Sequence, residues 1–184
     1  MPNKKHTSEL KKDFHEAYEL HADALFRFSF YKLSDREKAK DIVQDTFVRF
    51  WEYIAADGHV ENVKAFLYRI ANNAIIDNYR KKKELSLDIL EEDGFDPMDT
   101  ESHHKMARSV DSQTALKLVN ELSESDRTIV LMRYVDGLSV KEISEVLGER
   151  ENTISVKIHR SLKQLQDLFE SADKDDKDDK KEKR

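Results

Sequence analysis

Residues 139–165 read SVKEISEVLGERENTISVKIHRSLKQL, and this stretch restricts the fold more than any other part of the chain. Ser139 and Glu142 form an S-x-x-E capping box, in which each side chain satisfies an orphan backbone donor at a helix start. Gly148 follows Leu147 where a helix would end in a left-handed cap. A second helical pattern begins a few residues later. Two short helices joined by a glycine turn form a helix-turn-helix, a unit that places its second helix in the DNA major groove.

That second helix sorts into two faces. At a helical period Ile154, Ile158, Leu162, Leu165 and Phe169 fall on one side. Asn152, Val156, His159, Arg160 and Lys163 fall on the other, and no acidic residue lies between Asn152 and Gln166. An apolar back and a positive front suit a phosphate-lined groove. Charge alone would describe a solvated surface helix equally well. The cap, the turn and the two faces together favour DNA.

The rest of the sequence is consistent with an all-α protein. Only 4 Gly and 2 Pro punctuate 184 residues, charged residues make up 38%, and alternating strand-like runs are absent. No apolar run approaches the roughly 18 residues of a membrane span, and the N-terminus has no apolar signal core. Cysteine is absent, which excludes disulfides, thiolate nucleophiles and cysteine metal sites. A reducing cytoplasm is the expected location. The net charge of −6 sits badly with nucleic-acid binding until its distribution is considered. Residues 84–101 hold eight carboxylates and no Lys or Arg, so the remainder of the chain is net +2. Local charge matters more than pI for groove binding.

Two small helical domains joined by an acidic flexible linker are therefore expected, the C-terminal one a helix-turn-helix. The first occupies residues 1–83, the linker 84–108 (with Gly94 and Pro97), the second 109–172, and a disordered charged tail 173–184. Within the first domain, one helix is expected from about Ser8 to Lys32, with Leu10, Phe14, Tyr18, Leu25 and Phe28 inward. A second should run from about Asp35 to Ala55 with Ser34 as N-cap, burying Ile42, Val43, Phe47, Phe50, Trp51 and Ile54. A third should run from about Val63 to Lys83 over Val63, Phe66, Leu67, Ile70, Ala71 and Ala74. Arg69, Asn72, Asn73, Ile76, Asp77 and Arg80 occupy its other arc, and Lys81, Lys82 and Lys83 extend it. Phosphate contacts and base readout by Asn suit such a run. So does a solvated helix end whose lysines complement the dipole.

Taken together these segments resemble the extracytoplasmic-function (ECF) group of bacterial RNA polymerase sigma factors. The resemblance rests on DIVQDTFVRFWEYI (Asp41 to Ile54), AFLYRIANNAIIDNYRKKK (Ala65 to Lys83) and the segment from Leu122 to Leu165, in that order. It implies a transcription initiation factor that binds core RNA polymerase, through the beta-prime clamp helices and the beta flap, and reads promoter DNA. Asp41, Gln44, Asp45, Phe47 and Trp51 match the polymerase-binding motif, although Phe47 and Trp51 have the spacing of core residues too. Arg69, Asn72, Asn73, Asp77, Arg80 and Lys81 match the surface for the -10 element, where a base is flipped out of the stack. Asn152, Thr153, Ser155, Val156, Lys157, His159, Arg160 and Lys163 match the -35 recognition helix. An anti-sigma partner is also implied. Ser155 stands where the group often has a basic residue, and Val156 where it often has a small one. Aromatics on the -10 helix are confined to Phe66, Tyr68 and Tyr79, so base stacking should be limited and promoter choice stringent.

No catalytic group, cofactor or metal is expected, and no membrane insertion. The acidic linker serves either as a solvated spacer or as a nucleic-acid mimic in a basic channel. A stand-alone helix-turn-helix regulator is the alternative function, binding paired half-sites as a dimer. A metal-dependent phosphohydrolase is a more distant one. It would rest on His103 and His104 beside Asp99 and Glu101, which lack helix-spaced partners and fixed supporting ligands.

Overall fold

The structure, a computed structural model, describes residues 4–89 and 118–182, with side chains described over residues 8–81 and 118–171. The described residues are helical and contain no strand. The chain divides into two compact units near residue 103.

The first unit packs three antiparallel-connected helices: α1 (Lys4–Leu33), α2 (Arg36–Ala55) and α3 (Val63–Ile89). Apolar residues recurring at helical spacing make one inward stripe on each. Leu25, Phe28, Leu67, Tyr68, Ala71 and Ile75 are fully buried, and Phe47 and Phe50 nearly so. Aromatic rings do much of the filling. Phe28 lies 5.2 Å from Tyr68, and Phe14 meets Trp51 edge-on at 5.4 Å. Such pairs add to the area they bury. The expected inward sets hold for Leu25, Phe28, Phe47, Phe50 and Ile54. Tyr18 is a correction: it is 47% exposed, on the rim of an open groove.

The turn between α1 and α2 corrects the expected cap. Asp35, not Ser34, is the N-cap: its Oδ1 accepts from the Glu37 and Lys38 amides at 3.0 and 3.1 Å. Ser34 takes a left-handed conformation, φ 53°, which turns the chain and brings its amide back to the Phe30 carbonyl. After α2, Asp57 is also left-handed and the Gly58 amide donates to the Tyr53 carbonyl at 2.9 Å. A Cβ on Gly58 would lie 2.4 Å from the Tyr53 ring and 2.5 Å from its carbonyl oxygen. The chain can close over the end of α2 only because this residue has no side chain. Asn62 then starts α3, its Oδ1 accepting from the Ala65 amide.

The second unit contains α4 (Glu124–Val130), a π-helical turn (Leu131–Val135), α5 (Val140–Leu147) and α6 (Glu151–Glu182). Ser123 caps α4 by accepting from the Asp126 amide. In the π turn the Asp136 amide reaches the Leu131 carbonyl five residues back. The Arg133 guanidinium then donates to the Leu138 carbonyl at 2.9 Å. Ile129, Met132, Leu138, Ile143 and Ile154 are fully buried and form the core with Ile158.

Both ends of the two units differ from the sequence expectation. α3 continues to Ile89, past Lys83, and α6 continues to Glu182 through the segment expected to be disordered. The apolar face of α6 is shorter than its spacing suggested. Ile154 and Ile158 are buried, but Leu162 and Phe169 are 40% and 57% exposed. Gly94, Pro97, and His103 with His104 lie outside the described residues.

Candidate nucleic-acid and protein interfaces

Helix α2 presents two ridges. Its 3.6-residue repeat puts Lys40, Val43, Gln44, Phe47, Val48 and Trp51 on one side, facing α1. With Phe14, Tyr18 and Phe26 they line an open, mainly apolar groove of about 800 Å³. Lys11, Asp23, Lys40 and Gln44 supply its polar rim. Phe47 is 3% exposed and forms the floor, with Tyr18 at 4.8 Å and Phe14 at 5.9 Å; Trp51 is half-buried on the wall. Phe47 is thus a core residue. Trp51 belongs to both core and surface.

Asp41 and Asp45 are exposed on the other ridge. Together with Lys38, Ile42 and Arg49 they face Ala74, Asp77, Asn78 and Lys81 of α3 across a small polar bowl of about 180 Å³. The five residues expected to bind polymerase are therefore split between two depressions. The bowl also joins two of them to Asp77 and Lys81, expected at the DNA surface. Sequence reasoning missed Lys38, Arg49 and Asn78 as members of this cluster. Their spacing from Asp41 and Asp77 was visible, but the α2–α3 pairing that brings them together was not.

On α3, Arg69, Asn73, Ile76 and Arg80 are exposed along one stripe and Lys81 continues it. Arg69 lies over the Phe66 ring at 5.4 Å, and Arg80 pairs with half-buried Asp77 at 3.4 Å. Asn72 is a correction to this set. It is 3% exposed, on the inward arc between Tyr68 and Ile75, and its Oδ1 accepts from Lys32 Nζ at 3.2 Å. A buried amide needs such a partner, so Asn72 ties the end of α1 to α3. Tyr79 makes a second tie, its hydroxyl donating to the Lys32 carbonyl. Tyr68 is fully buried and Phe66 is packed against Tyr53, which leaves Tyr79 as the partly exposed ring on this helix.

In the second unit the expected cap and turn are present. The Ser139 hydroxyl accepts from the Glu142 amide and the Glu142 carboxylate from the Ser139 amide. Gly148 is left-handed, φ 69°. Beyond it, Asn152, Thr153, Ser155, His159, Arg160 and Lys163 are exposed, and Val156 is 57% exposed at the middle of their face. Lys157 departs from this set. It is half-buried and its ammonium is 2.6 Å from Glu149 Oε1. Arg150, exposed just before the helix, was not among the expected residues, though its basic character at the helix entrance was legible.

Two ionisable groups of the first unit are shifted. His21 is held below its ordinary 6.5, first by burial and then by the charge of Lys64. Asp35 is held below 3.8, first by hydrogen bonds with Lys38 and its backbone amide. Both belong to the scaffold. Among the described residues no group of three or more His, Asp or Glu is placed to hold a metal ion. Among them, too, no helix is long and apolar enough to cross a membrane.

Comparison with known proteins supplies an independent account of the same segments. Residues 17–84 match the family model for sigma-70 region 2, and residues 112–165 that for sigma-70 region 4. The ECF RNA polymerase sigma factor SigW of Bacillus subtilis (strain 168) is 30% identical over 190 residues, spanning 91% of this chain and 99% of that protein. The RNA polymerase sigma factor SigV of the same organism is 28% identical over 146 residues, spanning 79% of this chain and 84% of that protein. Among solved structures, the sigma factor RpoE of Bartonella quintana, in complex with the anti-sigma factor NepR, superposes with a TM-score of 0.68 at 27% identity, covering 86% of this chain and 98% of that one. CnrH, in complex with the cytosolic domain of CnrY, shares the fold, with a TM-score of 0.64 at 20% identity over 91% of this chain and 94% of that one.

Proposed function

The chain belongs to the ECF group of RNA polymerase sigma factors, and we propose that three surfaces of its two units divide the work. It is a transcription initiation factor: it binds core RNA polymerase and directs it to promoters through the -10 and -35 elements. The groove between α1 and α2, with Gln44 and Trp51 on its lining, and the carboxylate ridge of Asp41 and Asp45 form the polymerase-docking face. An apolar groove beside a charged ridge gives a partner helix both buried area and a fixed orientation.

Arg69, Asn73, Asp77, Arg80 and Lys81 form the -10 surface. The cations hold the backbone of a separated strand, while Asn73 and Asp77 offer the hydrogen-bonding groups for a base edge. With few rings open for stacking, this surface favours stringent promoters. In the second unit Asn152, Thr153, Ser155, Val156, His159, Arg160 and Lys163 read the -35 element from α6. Arg160 is suited to a bidentate contact with guanine, and Val156 to a thymine methyl.

The observation that carries this reading is the exposure of Asn73 and Arg80 on α3, and of His159 and Arg160 on α6, inside segments matching sigma-70 regions 2 and 4. Residues 1–83 and 109–172 act as the two reading modules. The acidic segment 84–108 is their tether, whose span sets the tolerated promoter spacing. The chain contributes no catalytic group of its own, works in the cytoplasm, and is held in check by an anti-sigma protein that covers the polymerase-docking groove. A stand-alone regulator is disfavoured, since such a protein has no need of a region 2 module.

Replacing Asp41 and Asp45 together by Lys tests the docking face. The variant should lose co-purification with core polymerase while keeping its circular dichroism. Undiminished co-purification would remove those two residues from the interface.

A further inference from the structure

We propose that Lys157 is a positioning residue: with Glu149 it clips the turn of the helix-turn-helix and sets the angle of the recognition helix without touching DNA itself. The proposal rests on the assignment of α6 as the -35 recognition helix. Glu149 sits in the three-residue connection between α5 and α6. Its backbone carbonyl accepts from the Ser144 hydroxyl, near the end of α5. Its carboxylate accepts from Lys157 Nζ at 2.6 Å, two turns into α6. One residue of the turn is thereby fastened to both helices. Gly148 opens the connection in a left-handed conformation with its amide donating to the Ser144 carbonyl at 2.9 Å, so Ser144 holds the start of the turn and Glu149 carries the hold on to α6.

Placement on α6 supports this role. Successive residues of an α-helix are about 100° apart. Val156 stands at the middle of the exposed face, so Lys157 is turned to its edge, next to buried Ile158 and one turn from buried Ile154 and Ser161. The Lys157 and Glu149 side chains are 28% and 32% exposed, whereas Arg160 and Lys163 project freely. The pairing also neutralises a carboxylate beside a surface meant for phosphates, where an unpaired one would repel DNA.

The test uses full-length protein with core polymerase and a promoter that the wild-type holoenzyme selects from a randomised library, and the same promoter with its -35 element scrambled. Promoter association is measured against salt for wild type, Lys157→Met, Glu149→Gln, the double variant, the charge-swapped pair, and Arg160→Ala. The two single variants should each weaken binding roughly two- to fivefold, as expected for loss of a partly exposed ion pair. The double variant should be no weaker than either, and the swapped pair should recover most of the loss. These effects should vanish on the scrambled template, and the salt slope of Lys157→Met should match wild type.

A slope shallower by about 0.9 in Lys157→Met would mark a phosphate contact. That result, with Glu149→Gln neutral or tighter because the lysine is freed, would overturn the proposal while leaving the recognition helix in place. Arg160→Ala should weaken binding on the intact promoter. If it is silent too, the recognition-helix assignment fails and the proposal falls with it.

Discussion

Replacing Asn72 by Ala and, separately, its neighbour Asn73 by Ala should produce opposite phenotypes, although both residues fall in the stretch that resembles a DNA-reading surface. Asn72 is 3% exposed and accepts a hydrogen bond from Lys32 Nζ at 3.2 Å. Lys32 also lies 5.8 Å from the Phe28 ring, so its ammonium is held between the two helices. A hydrogen bond to a charged group is worth about 1.5–3 kcal/mol. Lys32 is only half-buried and can regain water, so the low end applies, and truncation adds a small unfilled space. A loss of about 2 kcal/mol is expected, which in a unit of this size lowers its thermal midpoint by about 8–16 °C. Asn73 is exposed, and its replacement should stay within about 0.5 kcal/mol of wild type. Thermal circular dichroism of the full chain measures the first effect, and transcription from a promoter with an intact -10 element measures the second. Asn72→Ala should melt early yet keep promoter choice at low temperature; Asn73→Ala should melt normally yet lose -10-dependent output. A normal midpoint with lost output in Asn72→Ala would refute the structural role of that residue.

Gly58→Ala should lower the urea midpoint by an amount equivalent to about 1–3 kcal/mol, because its Cβ would stand 2.5 Å from the Tyr53 carbonyl oxygen; an unchanged midpoint would show that the turn relaxes freely. Asp35→Ala should cost about 1 kcal/mol as a lost N-cap. The Asp35 carboxyl is held below 3.8 in the folded chain, so its contribution is present above that value and fades as pH falls through the lowered one; a variant whose stability still follows wild type through that acid range would argue against the cap. His21 is held below 6.5, so the unfolded chain binds the extra proton first and stability declines as pH drops below 6.5. His21→Gln should flatten that decline in denaturant titrations at pH 7 and pH 5, and an equally steep decline would contradict it.

The sequence made the helix-turn-helix legible almost to the residue. Ser139, Glu142 and Gly148 act through local backbone geometry, which a short window captures. The exposure of Asp41, Asp45, Asn73, Arg80, His159 and Arg160 was readable for a similar reason, since polar faces follow helical spacing. Other features depended on which helices meet. Asn72 and Asn73 are adjacent and chemically identical, and only the packing of α1 on α3 turns one inward. Tyr18 and Phe169 have core spacing but stay 47% and 57% exposed among the described residues. Lys157 looked like one more cation on a positive face until the turn placed Glu149 beside it. Ser34 and Asp35 are both good caps by type, and the left-handed turn at Ser34 decides between them.

The most direct measurement is promoter selection from a fragmented genomic library by the purified chain, with and without core RNA polymerase, scored by transcript start sites and by the fragments retained. Transcripts with shared -10 and -35 sequences only when polymerase is present, and a changed set with Asn73→Ala or Arg160→Ala, is the predicted result. Tight, sequence-specific retention of paired half-sites by the chain alone, unaltered by polymerase, would contradict it.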